Sequence, residues 1–131
     1  MKKIEVCAAI IIKDNKIFTT QRGYGSFKGM WEFPGGKLEP NETKEGCIVR
    51  EIKEELDAEI NIIQYLNTIE YQYDTFYLIM HNFICELKND HINLNEHDAA
   101  KFISINELDK VEFLPADLLI FDDLIKYLNK K

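Results

Sequence analysis

Between residues 35 and 59 the acidic side chains gather at an interval that matters chemically. Glu51, Glu54, Glu55, Asp57 and Glu59 crowd together, and Arg50 adjoins the first of them. In a helix, residues three and four apart share a face, so Glu51, Glu54 and Glu55 come within a few ångströms of one another. Like charges so placed cost roughly 0.2–0.5 kcal/mol per pair, and acids at a helix C-terminus also oppose the macrodipole. The cluster has two readings: a solvated helix face, or a site for a hard divalent cation such as Mg²⁺ or Mn²⁺, which take carboxylate oxygens. The residues just upstream favour the cation. Gly35-Gly36 permits a backbone conformation or close approach that a side chain would obstruct, and Lys37 is a compact cation suited to phosphate.

Those acids need a scaffold, and the apolar pattern predicts one. Ile48, Ile52 and Leu56, flanked by Cys47 and Val49, form a stripe that pins the acidic helix to a core. Asn41 or Thr43 can cap its start. Residues 3–12 (KIEVCAAIII) are almost continuously apolar, as a buried central strand requires. Asp14-Asn15 is a turn signal, and residues 16–22 return as a second strand ending at Arg22. A glycine-rich loop follows over 23–31, then WEFPGGK, where Trp31 and Phe33 read as packing residues rather than stacking ones. Residues 59–73 and 75–87 predict two long strands joined at Asp74, with His81 an ordinary strand residue. Residues 88–98 are a polar loop, 101–104 a short strand, and 104–107 the start of a helical turn. The segment LPAD then leads into a final amphipathic helix with Phe121, Leu124, Ile125 and Leu128 on one stripe. Asp117 sits where an N-terminal acid is favoured by the helix dipole. The order strands, helix, strands, helix predicts an α/β fold, a mixed β-sheet between helices in an α/β/α sandwich, over one domain spanning 1–131.

Composition limits the function classes. A chain of 131 residues, 46% of them hydrophobic and 30% charged, is ordinary for a soluble globular protein. The net charge of −7 argues against a general nucleic-acid-binding surface. An anionic substrate would therefore need local neutralisation. Cys7, Cys47 and Cys85 are odd in number and lie in apolar runs, which suits reduced core thiols in a cytoplasmic protein. The apolar run after Lys2-Lys3 is too short for a membrane span and reads as a strand, not a signal peptide.

Gly36, Glu42 and Arg50-Glu51-Ile52-Lys53-Glu54-Glu55 closely resemble, in type and spacing, the Nudix box, Gly-x5-Glu-x7-Arg-Glu-aliphatic-x-Glu-Glu-x-Gly-aliphatic, placed here over 36–58. The wider resemblance, to MutT-like nucleoside triphosphate pyrophosphohydrolases, runs over nearly the whole chain. Two positions depart from the box: Asp57 stands for its final Gly, and Ala58 is a small version of the expected aliphatic. Asp tolerates the left-handed conformation such a Gly adopts better than most residues, at some cost.

The resemblance implies a Nudix-type sandwich and metal-dependent hydrolysis of a (deoxy)nucleoside triphosphate to the monophosphate and pyrophosphate. It also implies roles. Glu51, Glu54 and Glu55 with the Gly35 carbonyl would hold Mg²⁺ (or Mn²⁺), Glu51 or Glu96 would act as base, and Arg50 would orient a glutamate. Arg22 and Lys37 would hold phosphate, Glu32, Phe33, Pro34 and Gly35 would line the nucleotide pocket, and Asp117 would hydrogen-bond the base. Base identity stays open: Asp at 117 resembles the cytidine-nucleotide branch, while other members read oxidised purines such as 8-oxo-dGTP with an Asp. Two further readings remain, hydrolysis of a nucleoside diphosphate linked to another group, and a nucleotide sensor that does not cleave. A full set of glutamates argues against the sensor. The implied partner is a nucleotide, with no stable nucleic-acid or membrane contact and a monomeric or homodimeric state.

Overall fold

The computed structural model of the protein describes residues 2–23, 25–93 and 97–130, with backbone alone at 97 and 98. Its frame is a seven-stranded mixed sheet built on β1 (Lys2–Lys13). β1 runs parallel to β6 (Phe76–Leu87), which pairs antiparallel with β5 (Ile60–Gln72). The near-continuous apolar character of β1 has its reason in the layers. Cys7, Ala9 and Ile11 face one core with helix α1 (Lys44–Leu56), while Ala8 and Ile10 face another with the C-terminal helices. The sheet is thus sandwiched between helices, and the α/β expectation holds.

Asp14 and Asn15 both take positive φ, at 52° and 62°. That is the geometry of a tight hairpin turn, and it sends the chain back as β2 (Lys16–Arg22). β1 and β2 pair only beside that turn, at Ile12 with Ile17 and Lys13 with Lys16, and then diverge. β2 continues along β7 (His97–Ser104) on its other edge. Into the fork goes a strap the sequence pattern did not reveal as strand. β3 (Trp31–Glu32) pairs with β2, and β4 (Gly35–Lys37) pairs with β1 at Val6, Cys7 and Ala8. Such short segments carry no alternation from which to predict them.

Two stripes differ from expectation. Val49 is 45% exposed, so the buried face of α1 is Cys47, Ile48, Ile52 and Leu56. The final helix is two pieces, α2 (Pro115–Leu118) and α3 (Phe121–Asn129), with Leu119 and Ile120 between them. That break rotates the register, so Ile120 and Leu124 are buried and Ile125 is 36% exposed. Ser104 and Glu107 form a capping box on the 3₁₀ turn Ile105–Lys110, as residues 104–107 suggested. Among the described residues no helix is long and apolar enough to cross a membrane.

Candidate functional site

The strap at 31–37 joins two regions that lie on opposite faces of the sheet. On the α1 side, Thr43 caps the helix by accepting from Gly46 N at 3.0 Å. Arg50, two turns in, is a hub. Its Nε and Nη2 donate to both Glu42 oxygens at 2.6 and 2.9 Å, and its Nη1 lies 3.1 Å from Glu54 and 3.3 Å from Glu51. A further bond from Nη2 reaches the Lys37 carbonyl at 3.1 Å, tying the helix to the strap. The planar guanidinium is suited to this fork-to-carboxylate geometry. Arg50 holds Glu42 down at a pKa of about 2, helped by the Glu39 backbone amide. Arg50 thus contacts three glutamates, Glu42, Glu51 and Glu54.

Glu51 is drawn inward against the strap. A Cβ on Gly36 would overlap its carboxylate, so a side chain there would push the Glu51 carboxylate out of this position. Gly35 is constrained from the other side, where a Cβ would overlap the Cys7 carbonyl of β1. Burial raises the Glu51 pKa, opposed chiefly by Arg50, so its ionised form carries a desolvation cost that a nearby cation would offset. Glu54 is exposed and Glu55 half-buried on the same helix. Among the described residues these acids are not gathered into a ready-made cage of three ligating side chains. The donor set is nonetheless all hard oxygen, a desolvated carboxylate is its innermost member, and it fits a divalent cation that keeps much of its water. Glu96 falls outside the described residues.

On the other face the strap lines a cleft of about 360 Å³. Val6, Ala8, Leu78 and Met80 of β1 and β6 make an apolar floor, and Arg22, Glu32, Phe33, Gly35, Lys37 and Asp117 stand around it. Pro34 is not among the lining residues; it is buried, and its carbonyl accepts from Ala9 N at 2.8 Å. Arg22 donates through Nε and Nη2 to Glu32 at 3.0 and 2.8 Å, so in this state its guanidinium is shared with a carboxylate. Phe33 is buried and packs on Phe113 and Phe121, whereas Trp31 is half-buried with Lys101 Nζ 4.6 Å from its ring centre. Both act in packing, as the sequence suggested.

Asp117 is only 4% exposed, and its Oδ2 accepts from Phe33 N at 2.8 Å. Burial pushes its pKa up to about 8, so at neutral pH the side chain is largely the neutral acid. A neutral carboxyl both donates and accepts, which an ionised one does not. Two contributors to the cleft had no sequence signal: Tyr73, just before the β5–β6 turn, and Phe27 in the 23–31 loop, whose rings meet at 5.4 Å. Phe27 adopts a φ of 67°, which is uncommon for a bulky side chain, and no residue pattern foretells it.

Comparison with known proteins places this arrangement in context. A family model described as NUDIX domain matches residues 1–124. The CTP pyrophosphohydrolase of Escherichia coli (strain K12) is 36% identical over 125 residues, covering 93% of this chain and 91% of that protein. An 8-oxo-dGTP diphosphatase of Proteus vulgaris is 37% identical over 92 residues, 68% of this chain and 82% of its own. Among solved structures, that of the E. coli ORF135 protein superimposes with a TM-score of 0.85 at 30% identity, covering 100% of this chain and 94% of the other.

Proposed function

The chain belongs to the Nudix hydrolase family, and from that premise we propose that it cleaves a nucleoside triphosphate to the monophosphate and pyrophosphate, as a single domain acting on free nucleotide in the cytoplasm. One observation carries this reading. The strap that holds Gly36 against Glu51 on one face also lines the cleft containing Asp117 on the other, so a ligand along it would meet carboxylates at its phosphate end and a buried acid at its base end. The names of the two relatives, one acting on CTP and one on 8-oxo-dGTP, agree with that substrate class.

Glu51, Glu54 and Glu55, with the Gly35 carbonyl, would hold a divalent cation, Mg²⁺ or Mn²⁺. When bound, that ion supplies neutralisation of phosphate charge and an acidified water. Arg50 fixes the orientation of Glu42, Glu51 and Glu54 through charge-assisted contacts, leaving them pre-set rather than searching. Glu96, or Glu51 where it is base instead of ligand, would take the proton of the attacking water. Lys37, exposed at the cleft edge, meets phosphate, and Arg22 does so by exchanging its Glu32 partner for a phosphate oxygen.

At the base end, Asp117 Oδ2 already accepts from Phe33 N, which leaves Oδ1 to carry the proton as a donor. A donor there complements the N3 acceptor of cytosine, where uracil offers N3–H instead, and it also complements a carbonyl acceptor such as O6 of a guanine or O4 of uracil. The test is a panel of cytidine, uridine, guanosine and 8-oxoguanosine triphosphates with Mg²⁺, followed by phosphorus NMR. Monophosphate and pyrophosphate should appear as the first products. Orthophosphate as first product would move the cut and refute the reading, and tight binding without turnover would make the protein a sensor.

A further inference from the structure

The buried acid of the cleft sits on an unusually slight support. α2 has only four residues, Pro at its start and no capping side chain of its own. Asp117 N and Leu118 N find the Leu114 carbonyl within the same turn, at 3.0 and 3.4 Å. Ala116 N does not. Its partner is the hydroxyl of Tyr73, a residue 43 positions away in sequence, at 3.1 Å. Ala116 is fully buried, so its amide has few alternatives if that oxygen is taken away.

Tyr73 is itself held firmly. Its ring stacks on Phe76 at 5.0 Å and 25°, meets Tyr71 at 4.7 Å and Phe27 at 5.4 Å, and its amide closes the β5–β6 turn on the Phe76 carbonyl. The hydroxyl is therefore a fixed point on the sheet rather than a roaming side-chain end. Asp117 is bracketed by two such points: Phe33 N on the strap bonds its carboxylate, and Tyr73 bonds the amide immediately before it. Both residues line the same cleft.

We propose that Tyr73 is a positioning residue for base selection, setting through the Ala116 amide where the Asp117 carboxyl stands in the cleft. The proposal rests on the pyrophosphohydrolase reading above and adds a residue to it. A buried donor discriminates between bases only if it is held in place, because a carboxyl free to shift can meet a wrong base halfway. Removing the Tyr73 hydroxyl leaves the ring wall intact and loosens one of the two brackets. The expected loss is thus in discrimination, on the scale of a single hydrogen bond, rather than in chemistry.

The experiment compares wild type, Tyr73→Phe, Asp117→Asn and the double variant. Each is assayed for kcat and KM on the triphosphates of cytidine, uridine, deoxyguanosine and 8-oxodeoxyguanosine, and for Kd of the matching monophosphates without metal. Thermal melts confirm that each variant is folded. In Tyr73→Phe the kcat/KM ratio between the favoured base and the next should fall roughly three- to tenfold. The change should lie in KM and in the monophosphate Kd, with kcat nearly unchanged. In the Asp117→Asn background the same substitution should shift the ratio less, since the carboxyl donor it positions is replaced by an amide. An equal loss on all four substrates would make Tyr73 structural only and overturn the proposal. So would an undiminished effect of Tyr73→Phe in the Asp117→Asn background. If wild type cleaves none of the four but binds the monophosphates, the Kd ratios decide on Tyr73 alone. If it neither cleaves nor binds any of them, the underlying functional reading fails, and this proposal fails with it.

Discussion

Glu51 and Asp117 are both withdrawn from water, and burial pushes both carboxyls up from their ordinary range, yet their surroundings differ in kind. Glu51, on the α1 face, has Arg50 at 3.3 Å, and the strap backbone above it is kept bare by Gly36. Asp117, on the opposite face, has an uncharged amide for its bond, while the nearby Arg22 is paired with Glu32. One acid is buried with a cation beside it that favours its charged form; the other is enclosed by its core, with Glu32 adding to the rise, and stays protonated to about pH 8. The difference teaches that burial alone does not decide what a carboxylate does. The partner supplied with it does, and under the proposed function the partners would suit a charged phosphate end and an uncharged base end.

The largest break in that contrast comes from removing charge on the α1 side. Glu54→Gln and Glu55→Gln keep size but lose a carboxylate, so each should lower kcat by roughly 10²–10⁴, the scale of a lost catalytic group. Their metal-free melting temperatures should change little, because relieved like-charge repulsion is set against the loss of the exposed Arg50–Glu54 pair in one variant, while the stabilisation produced by added Mg²⁺ should shrink. Full activity in both variants would remove these residues from the site. Asp117→Asn, by contrast, should leave the Mg²⁺ response of the melting temperature as in wild type.

A second prediction sharpens the Asp117 half. Its folded pKa of about 8 lies above the unfolded value of roughly 4. Between those values the folded state holds a proton that the unfolded state has released. Stability is therefore full below the unfolded pKa, falls as pH rises, and levels off once pH passes the folded value. Asn cannot ionise and can still accept from Phe33 N, so Asp117→Asn should flatten this slope. Denaturant melts at pH 5, 7 and 9 read it directly, taking those as nominal settings about the two pKa values. A wild-type stability that does not decline relative to the Asn variant would show that the acid is ionised in the fold.

The smallest effect is expected at Asp57, where the chain departs from the box. The residue takes the left-handed C-cap conformation, φ 49° and ψ 37°, which favours Gly. Against that strain the side chain gains two exposed contacts, Lys53 at 2.9 Å and His91 at 3.0 Å, which hold its pKa down. Exposed pairs of this kind contribute little, and Gly adds freedom to the unfolded chain, so Asp57→Gly should shift the neutral-pH melting temperature only slightly. A lowered pKa means the contacts stabilise above the unfolded pKa and are lost as pH falls through the folded one. The variant should accordingly gain on wild type in melts run at a pH of about 3. A large loss of Mg²⁺-dependent activity would instead place Asp57 in the site.

Much of the α1 half was legible beforehand because its information is local. A helix repeats every few residues, so Arg50, Glu51, Glu54 and Glu55 at their spacing already state which side chains share a face. The long strands β1, β2, β5 and β6 were legible for the same reason, and Thr43 and Asp57 sit at the helix ends where cap chemistry put them. Even so, the buried edge of α1 excludes Val49, since how far a helix rolls into its core is set by what it packs on.

The other half depended on contacts that no local pattern encodes. β3 and β4 exist because β1 and β2 diverge and leave a fork to fill. The break at Leu119 and Ile120 lets two short helices bury Asp117 and Leu124 against one sheet face. Asp117 could be named from the sequence, but not its neutrality, which arises from the enclosure that Phe33 and the surrounding core create. Tyr73 is further still from being readable, 43 positions from the amide it holds. By itself the sequence determined the charged machinery, because side chains one turn apart on a helix are neighbours by covalent geometry. Only the tertiary structure decided the cleft, because desolvation and long-range hydrogen bonds exist only once distant segments have packed together.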